Sequence, residues 1–264
     1  FIMIYPLLWL LMSSFKSNDT MFHNAFSLIP EKWDIIQNYA SGFKGIAGIS
    51  FWTFFKNSAI VTVASVAGSI FCSLLAAYAV SRVEFKGANF WFGCIVMTMM
   101  IPSQVMVVPQ YIILKKVGLS DTLVSMTLPW IFGYAFFIFL IVQYMRGIPR
   151  DLDEAAMLDG ATKWQQAKFI TLPMLKTVIV MMFILSVGGI FASDFGLFYQ
   201  VPMNSGVLFP TTNVIDTYVY RALIEQGNIS MSSAAGVYQS LVGFCVVMLS
   251  NWIVRKVDKD QALF

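Results

Sequence analysis

The chain has 264 residues, 58% of them hydrophobic and only 12% charged, with a net charge of +3 and a mean hydropathy of +0.73. Soluble globular domains carry about 25% charged residues, so a soluble enzyme with one anchor is excluded and an integral membrane protein is expected. The basic residues are dispersed, which argues against a nucleic-acid face. Cys72, Cys94 and Cys245 lie far apart in apolar segments and suggest neither a disulfide framework nor a metal site.

A helix needs about 20 apolar residues to cross the hydrocarbon core. The sequence begins inside a hydrophobic stretch, so residues 1–15 read as a trimmed first span and a native N-terminal tail is expected to be missing. Five charge-free windows follow, at 57–81, 87–114, 122–145, 177–193 and 226–254. Six spans are therefore predicted, in one all-α transmembrane domain covering 1–264. The fifth window is short and extends, on this reading, to Phe198 with Asp194 inside it. With both termini inside, the inner segments hold 10 Lys and Arg residues (Arg82, Lys86, Arg146, Arg150, Lys163, Lys168, Lys176, Arg255, Lys256, Lys259). The outer segments hold the other 7. This bias puts both termini in the cytoplasm. It also leaves two long outer loops, about 16–50 and about 199–230.

Small residues recur in the second span, at Ala64, Ser65, Gly68, Ser69 and Ser73, as close helix approach requires. The third span holds Pro102 and Pro109 beside Gln104 and Gln110. Prolines there free backbone groups that neighbours or water must satisfy. Gln104, Gln110, Gln143 and Asp194 are the candidates for lining a polar path, because polar side chains in hydrocarbon are costly unless they face protein or water. Hydrogen bonding between helices would account for each glutamine equally well.

Residues 147–175, GIPRDLDEAAMLDGATKWQQAKFITLPML, form a charged island between the fourth and fifth spans. Pro149 ends the preceding helix. Asp151 is expected to cap a new one, with Glu154 completing a capping box, and Gly160 is expected to stop it. Thr162 and Gln165 form a second box, and Pro173 is expected to end that arm. The prediction is a helix–turn–helix on the cytoplasmic side, each arm about eight residues. Such short arms are marginal alone, so something must hold them. Ala155 and Ala156 are small enough for close insertion, and Leu152, Met157, Trp164 and Phe169 offer apolar contacts. A soluble partner docking here and a hairpin resting on lipid headgroups both fit this pattern.

Glu154-Ala155-Ala156, three residues, Gly160, nine residues and Ile170-Thr171-Leu172-Pro173 match the EAA signature in identity and spacing. The chain thus resembles the permeases of bacterial ABC importers. The surrounding residues, together with 100–122 (MIPSQVMVVPQYIILKKVGLSDT) and NSAIVTVASVAGSIFCSLLAAYAVSR, are similar to the smaller permease subunit of the maltose-type carbohydrate branch. After the fifth span the chain departs from the common sugar-permease pattern. Residues 191–200 and 214–223 and the C-terminal ending are similar to a subgroup associated with complex oligosaccharides or polysaccharides. The resemblance implies a type I importer fold, a second related permease, two cytoplasmic ABC ATPases, an external solute-binding protein and a carbohydrate substrate. It also implies the bacterial cytoplasmic membrane as location. Glu154, Ala155, Ala156, Gly160, Ile170, Leu172 and Pro173 would couple to the ATPase.

No GxxxxGK[ST] loop is present, so this chain is expected to bind no cofactor, with ATP and Mg on the partner ATPase. His23 is the single histidine, and no nucleophile–base pair or metal cluster is evident. A secondary ion-coupled transporter would need a midplane ion site and usually internal repeats. A membrane enzyme acting on glycans would need carboxylates or histidines near an interface. The acidic residues gather in the island instead. The aromatic share of 16% suits sugar stacking and membrane belts alike.

The outer loop from Tyr199 to Asn213 has Pro202 and Pro210 flanking Asn204-Ser205-Gly206. Asn and Gly tolerate turn geometry and the prolines stiffen the approaches. Met203, Val207, Leu208 and Phe209 set apolar side chains beside the tip. The matching loop of the maltose-type subunit reaches into its binding protein. The resemblance therefore implies that Asn204, Ser205 and Gly206 probe the binding-protein cleft, against the alternative of a loop packed over its own bundle.

Overall fold

The computed structural model describes residues 3–23, 27–120, 122–191, 193, 195–200, 202 and 205–257, without the side chains of Phe22 and Gln104. Its elements are all helical. In chain order they are α1 (Tyr5–Ser13), α2 (Asn18–His23), α3 (Ile35–Lys44), α4 (Phe51–Arg82), α5 (Ala88–Thr98), α6 (Ser103–Lys116), α7 (Leu123–Ile131) and α8 (Ala135–Arg146). There follow α9 (Asp151–Leu158), α10 (Lys163–Gln166), α11 (Leu172–Met174), α12 (Lys176–Gly188), α13 (Phe209–Thr212), α14 (Ile215–Ile224) and α15 (Ile229–Val257). Among the described residues the only β-type pairing is two isolated bridges.

Among the described residues three stretches are long and apolar enough to cross a membrane: Phe51–Arg82, Leu123–Arg146 and Ile229–Lys256. A fourth arises if Lys163–Met174 and Lys176–Gly188, bent by 65°, count as one span. The third predicted span is not one helix. It breaks at residues 99–102, just before Ser103, where Pro102 supplies no N–H to continue the ladder. The fifth does not run on to Phe198. Its helix ends at Gly188, and a π-helical turn, Gly196–Gln200, follows after the break.

The chain divides into two compact units. One comprises Phe1–Val61, Tyr111–Met126 and Gly188–Val246, the other Thr62–Gln110, Thr127–Val187 and Val247–Phe264. The core of the second unit is built on α8. Its Phe137, Ile138, Ile141, Val142 and Met145 recur at helical spacing and pack against Leu175, Val178 and Met182 and against Ala77 of α4. A Cβ on Gly68 would stand 2.8 Å from Ile131 Cγ2, so the small-residue reading of α4 holds at this position. Five residues on, Ser73 Oγ accepts the Tyr134 N–H at 3.1 Å. It thereby satisfies a donor freed where the Leu123–Arg146 stretch breaks, at a left-handed Gly133 with φ +106°.

In the first unit, Phe51 and Phe54 of α4 pack against Ile215 and Tyr218 of α14, Ala235 of α15 and Phe191. A second cluster joins Val61, Met126, Leu197, Phe198 and Val214. The fully buried Tyr218 donates its hydroxyl to the Gly42 carbonyl at 2.7 Å. Burial pushes its phenol up to about 12.

Candidate docking site on the polar island

The first arm of the island is α9, and its stop is local chemistry. Gly160 is left-handed at φ +82°. Its N–H donates to the Met157 carbonyl at 3.0 Å, and the Ala161 N–H to that of Ala156 at 2.9 Å. These two bonds make a Schellman motif. The arm's start differs from expectation. Arg150 is the N-cap, already in the helical region, and no side chain caps it. Its carbonyl accepts from the Asp153 and Glu154 N–H groups at 2.9 and 3.1 Å. Asp151 therefore lies inside the first turn with Asp153 and Glu154, where three carboxylates face the positive helix end.

The second arm begins as expected. Thr162 and Gln165 form a reciprocal capping box. Pro173 does not end the arm, however. A π-helical turn, Ala167–Thr171, carries the chain through it, with the Leu172 N–H donating to Ala167 O. The wide turn relieves the clash a proline ring makes with the carbonyl four residues back. The helical direction changes only afterwards, around the buried Leu175, by 65°. Gln166 is buried and donates to the Ala161 carbonyl at 3.0 Å, fastening the second arm to the joint.

One side chain that the sequence reading only counted as a charge holds the island in place. Arg82, at the end of α4, pairs with Asp153 at 2.9 Å, the two side chains being 6% and 19% exposed. Its Nη2 also donates to the Met145 and Ile148 carbonyls, each at 3.0 Å. Arg82 thus joins the last turn of α4, the carbonyl end of α8 and the first turn of α9. The pair spans 71 positions, so no local pattern announces it. Arg150 adds an exposed contact to Glu84 at 3.8 Å, which contributes little.

The remaining face of the island is open. Glu154, Ala155, Gly160, Leu172 and Pro173 are exposed, while Ala156 and Ile170 are half-buried. Leu158 is 90% exposed, Trp164 71% and Phe169 66%. An open hollow of about 310 Å³ lies at the joint of the arms, lined by Asp159, Gly160, Ala161, Gln165, Gln166, Phe169 and Ile170. The open face therefore combines a charged arm with small and large apolar side chains beside a hollow.

Gln110 is half-buried in α6 and Gln143 exposed on α8. Asp194 and the Gln104 side chain lie outside the described residues. The carboxylate that the structure does network here is Asp216, which the sequence reading passed over. It accepts the Ser193 N–H at 2.6 Å and, on its other oxygen, Gln239 Nε2 of α15 at 2.6 Å. Gln239 also donates to Phe191 O at 3.1 Å. In the outer loop, Asn204 lies outside the described residues. Ser205 leads into a 3₁₀ turn, Gly206–Leu208. Val207 is 87% exposed, but Phe209 turns inward and is 6% exposed. The reason is the buried Arg221 guanidinium, 4.2 Å from the Phe209 ring centroid.

Residues 69–259 match the family described as "Binding-protein-dependent transport system inner membrane component". Over 177 residues the chain is 39% identical to the "Probable ABC transporter permease protein YurM" of Bacillus subtilis (strain 168), covering 67% of this chain and 57% of that one. Over 174 residues it is 32% identical to the "Diacetylchitobiose uptake system permease protein NgcG" of Streptomyces coelicolor, covering 66% and 56%. The chain thus spans little more than half the length of these relatives. Its fold matches, at a TM-score of 0.73 and 20% identity over 86% of both chains, a chain of the "Crystal structure of a bacterial ABC transporter involved in the import of the acidic polysaccharide alginate". With its apolar helices, its EAA-spaced island and a family match over most of its length, the chain belongs to the binding-protein-dependent transport system inner membrane components.

Proposed function

We propose that this chain is a transmembrane permease subunit of an ATP-driven importer and that its substrate is a carbohydrate, an oligosaccharide in particular. The observation that carries the reading is the island. Its two arms are braced from behind by Arg82 while Glu154, Leu158, Trp164 and Phe169 stay exposed. A face braced on one side and unpartnered on the other suits a protein partner that pushes on it. The carbohydrate part is supported by the likeness to NgcG, a diacetylchitobiose uptake permease.

On this reading the full protein crosses the cytoplasmic membrane six times with both termini inside and pairs with a second, related permease. The complex holds two ABC ATPases, and Glu154, Ala155, Ala156, Gly160, Ile170, Leu172 and Pro173 of this chain couple to the ATPase. The ATPases carry ATP and Mg, and this chain performs no hydrolysis. Gln104, Gln110, Gln143 and Asp194 belong to the substrate path. A solute-binding protein delivers sugar from outside and meets the loop at Asn204, Ser205 and Gly206.

The test is copurification followed by reconstitution. Tagged chain expressed with its neighbouring subunits is expected to bring down a soluble ATPase. In proteoliposomes, loaded binding protein should stimulate hydrolysis and sugar uptake. Uptake driven by an ion gradient without ATP would defeat the proposal.

A further inference from the structure

Arg221 is the most deeply buried charged side chain among the described residues, at 0% exposure. It lies on α14. Its surroundings come from both ends of the outer loop. The guanidinium stands 5.1 Å from the Tyr199 ring centroid and 4.2 Å from that of Phe209. Those two residues bound the segment 200–208, so one cation touches both roots of the loop.

Each root is fixed further. Tyr199 stacks on Phe195 at 4.8 Å and meets Tyr220 edge-on at 4.9 Å. Its hydroxyl contacts Glu225 Oε1 at 3.5 Å, and the same oxygen lies 3.9 Å from Arg221 Nε. At the other root, Arg221 Nη1 donates to Asn213 Oδ1. Asn57 of α4 donates to the Pro210 and Asn213 carbonyls at 2.9 and 3.1 Å. Ser58 Oγ accepts the Ile215 N–H at 3.2 Å. The exit root is therefore held by α4 even without Arg221. The entry root is packed at Leu197 and Phe198 against Val61 and Val214, and the Tyr199 ring itself meets the exit root through the guanidinium. A buried cation without carboxylate, amide and ring partners would be costly, and cation–π attraction is strongest when water is excluded. The guanidinium plane offers two faces, which a lysine ammonium lacks.

We propose that Arg221 is the positioning residue of the outer loop: gripped by the Tyr199 and Phe209 rings, it sets the spacing of the two roots and so the presentation of the exposed Gly206 and Val207 to the solute-binding protein. The inference rests on the proposed role of that loop. The mechanical part is separable from it. With the entry root released, the segment 200–208 would explore many tip orientations, and each encounter with the binding protein would pay that entropy.

The experiment uses the assembled importer in proteoliposomes. Cys72, Cys94 and Cys245 are replaced by Ser, and a nitroxide is attached at Val207→Cys. Tyr199→Leu removes one ring without leaving a buried charge alone. It should sharpen the nitroxide spectrum toward faster motion. It should also raise the half-stimulating concentration of loaded binding protein about tenfold, the loss expected of one desolvated cation–π contact. The maximal stimulated rate should hold. Tyr199→Phe keeps the ring and should match the unmodified loop in both readouts. Arg221→Lys should fall between. An unchanged nitroxide spectrum in Tyr199→Leu, or a Tyr199→Phe variant as mobile as Tyr199→Leu, would overturn the positioning role. Replacing Gly206–Leu208 by a Gly/Ser linker tests the other layer. If stimulation then persists at the same binding-protein concentration, the contact itself is refuted, whatever the spectrum shows.

Discussion

Arg82→Met is the most direct probe of how the island is held. The substitution keeps much of the stem but removes the guanidinium. The Asp153 carboxylate, 19% exposed, then loses its 2.9 Å partner, and the Met145 and Ile148 carbonyls lose donors at 3.0 Å. Breaking a buried pair from one side costs about 3–5 kcal/mol when the remaining charge stays buried. Asp153 can turn partly to water, so about 3 kcal/mol is expected here. Asp153→Asn keeps an acceptor for Arg82 and loses only charge assistance, for about 1–2 kcal/mol. The double variant leaves neither charge unpaired, so the costs should not add. A coupling energy of about 1–2 kcal/mol is expected from the double-mutant cycle. Equilibrium denaturation in mixed micelles measures all four corners. On the proposed function, proteoliposomes of the assembled importer carrying Arg82→Met should also consume more ATP per sugar moved, since α9 would shift without carrying α4 and α8 with it. Additive costs within about 0.5 kcal/mol, together with unchanged coupling, would refute the brace.

Other expectations concern single residues. Gly160 sits at φ +82° with open space where a Cβ would go. Gly160→Ala should therefore cost only the left-handed backbone penalty of about 1–2 kcal/mol. Gly160→Pro, whose ring cannot take positive φ, should abolish binding-protein-stimulated hydrolysis while the protein still reaches the membrane, as vesicle fractionation would show. Tyr218 should make the first unit sensitive to alkali. Its folded pKa of about 12 lies above the ordinary phenol value of 10.0, so the unfolded chain ionises first. The stabilisation is whole below pH about 10 and fades as pH rises toward 12. Tyr218→Phe should flatten that loss while costing about 1 kcal/mol at neutral pH for the bond to Gly42. Denaturation midpoints at a series of pH values up to 11 check both.

Where structure depends on neighbours in sequence, the residues alone determined it. Membrane residence follows from composition. The stop at Gly160 and the Thr162–Gln165 box were legible because their partners lie within a few positions. So was the EAA spacing that points to the permease family. The start of α9 was misread even so: Asp151 has a capping residue's chemistry, but the N-cap is one residue earlier, at Arg150, so Asp151 falls inside the first turn. Pro173 was read as a terminator because a regular helix cannot hold it, whereas a π-helical turn can. Tertiary structure alone decided the rest. Arg82 meets Asp153 across 71 positions, and Asp216 joins Ser193 to Gln239 between separate helices. Arg221 looks like an ordinary loop charge in the sequence, yet it is enclosed by Tyr199, Phe209 and Asn213. A buried charge is tolerable only where the fold supplies its partners, and those partners come from positions that no sequence period connects.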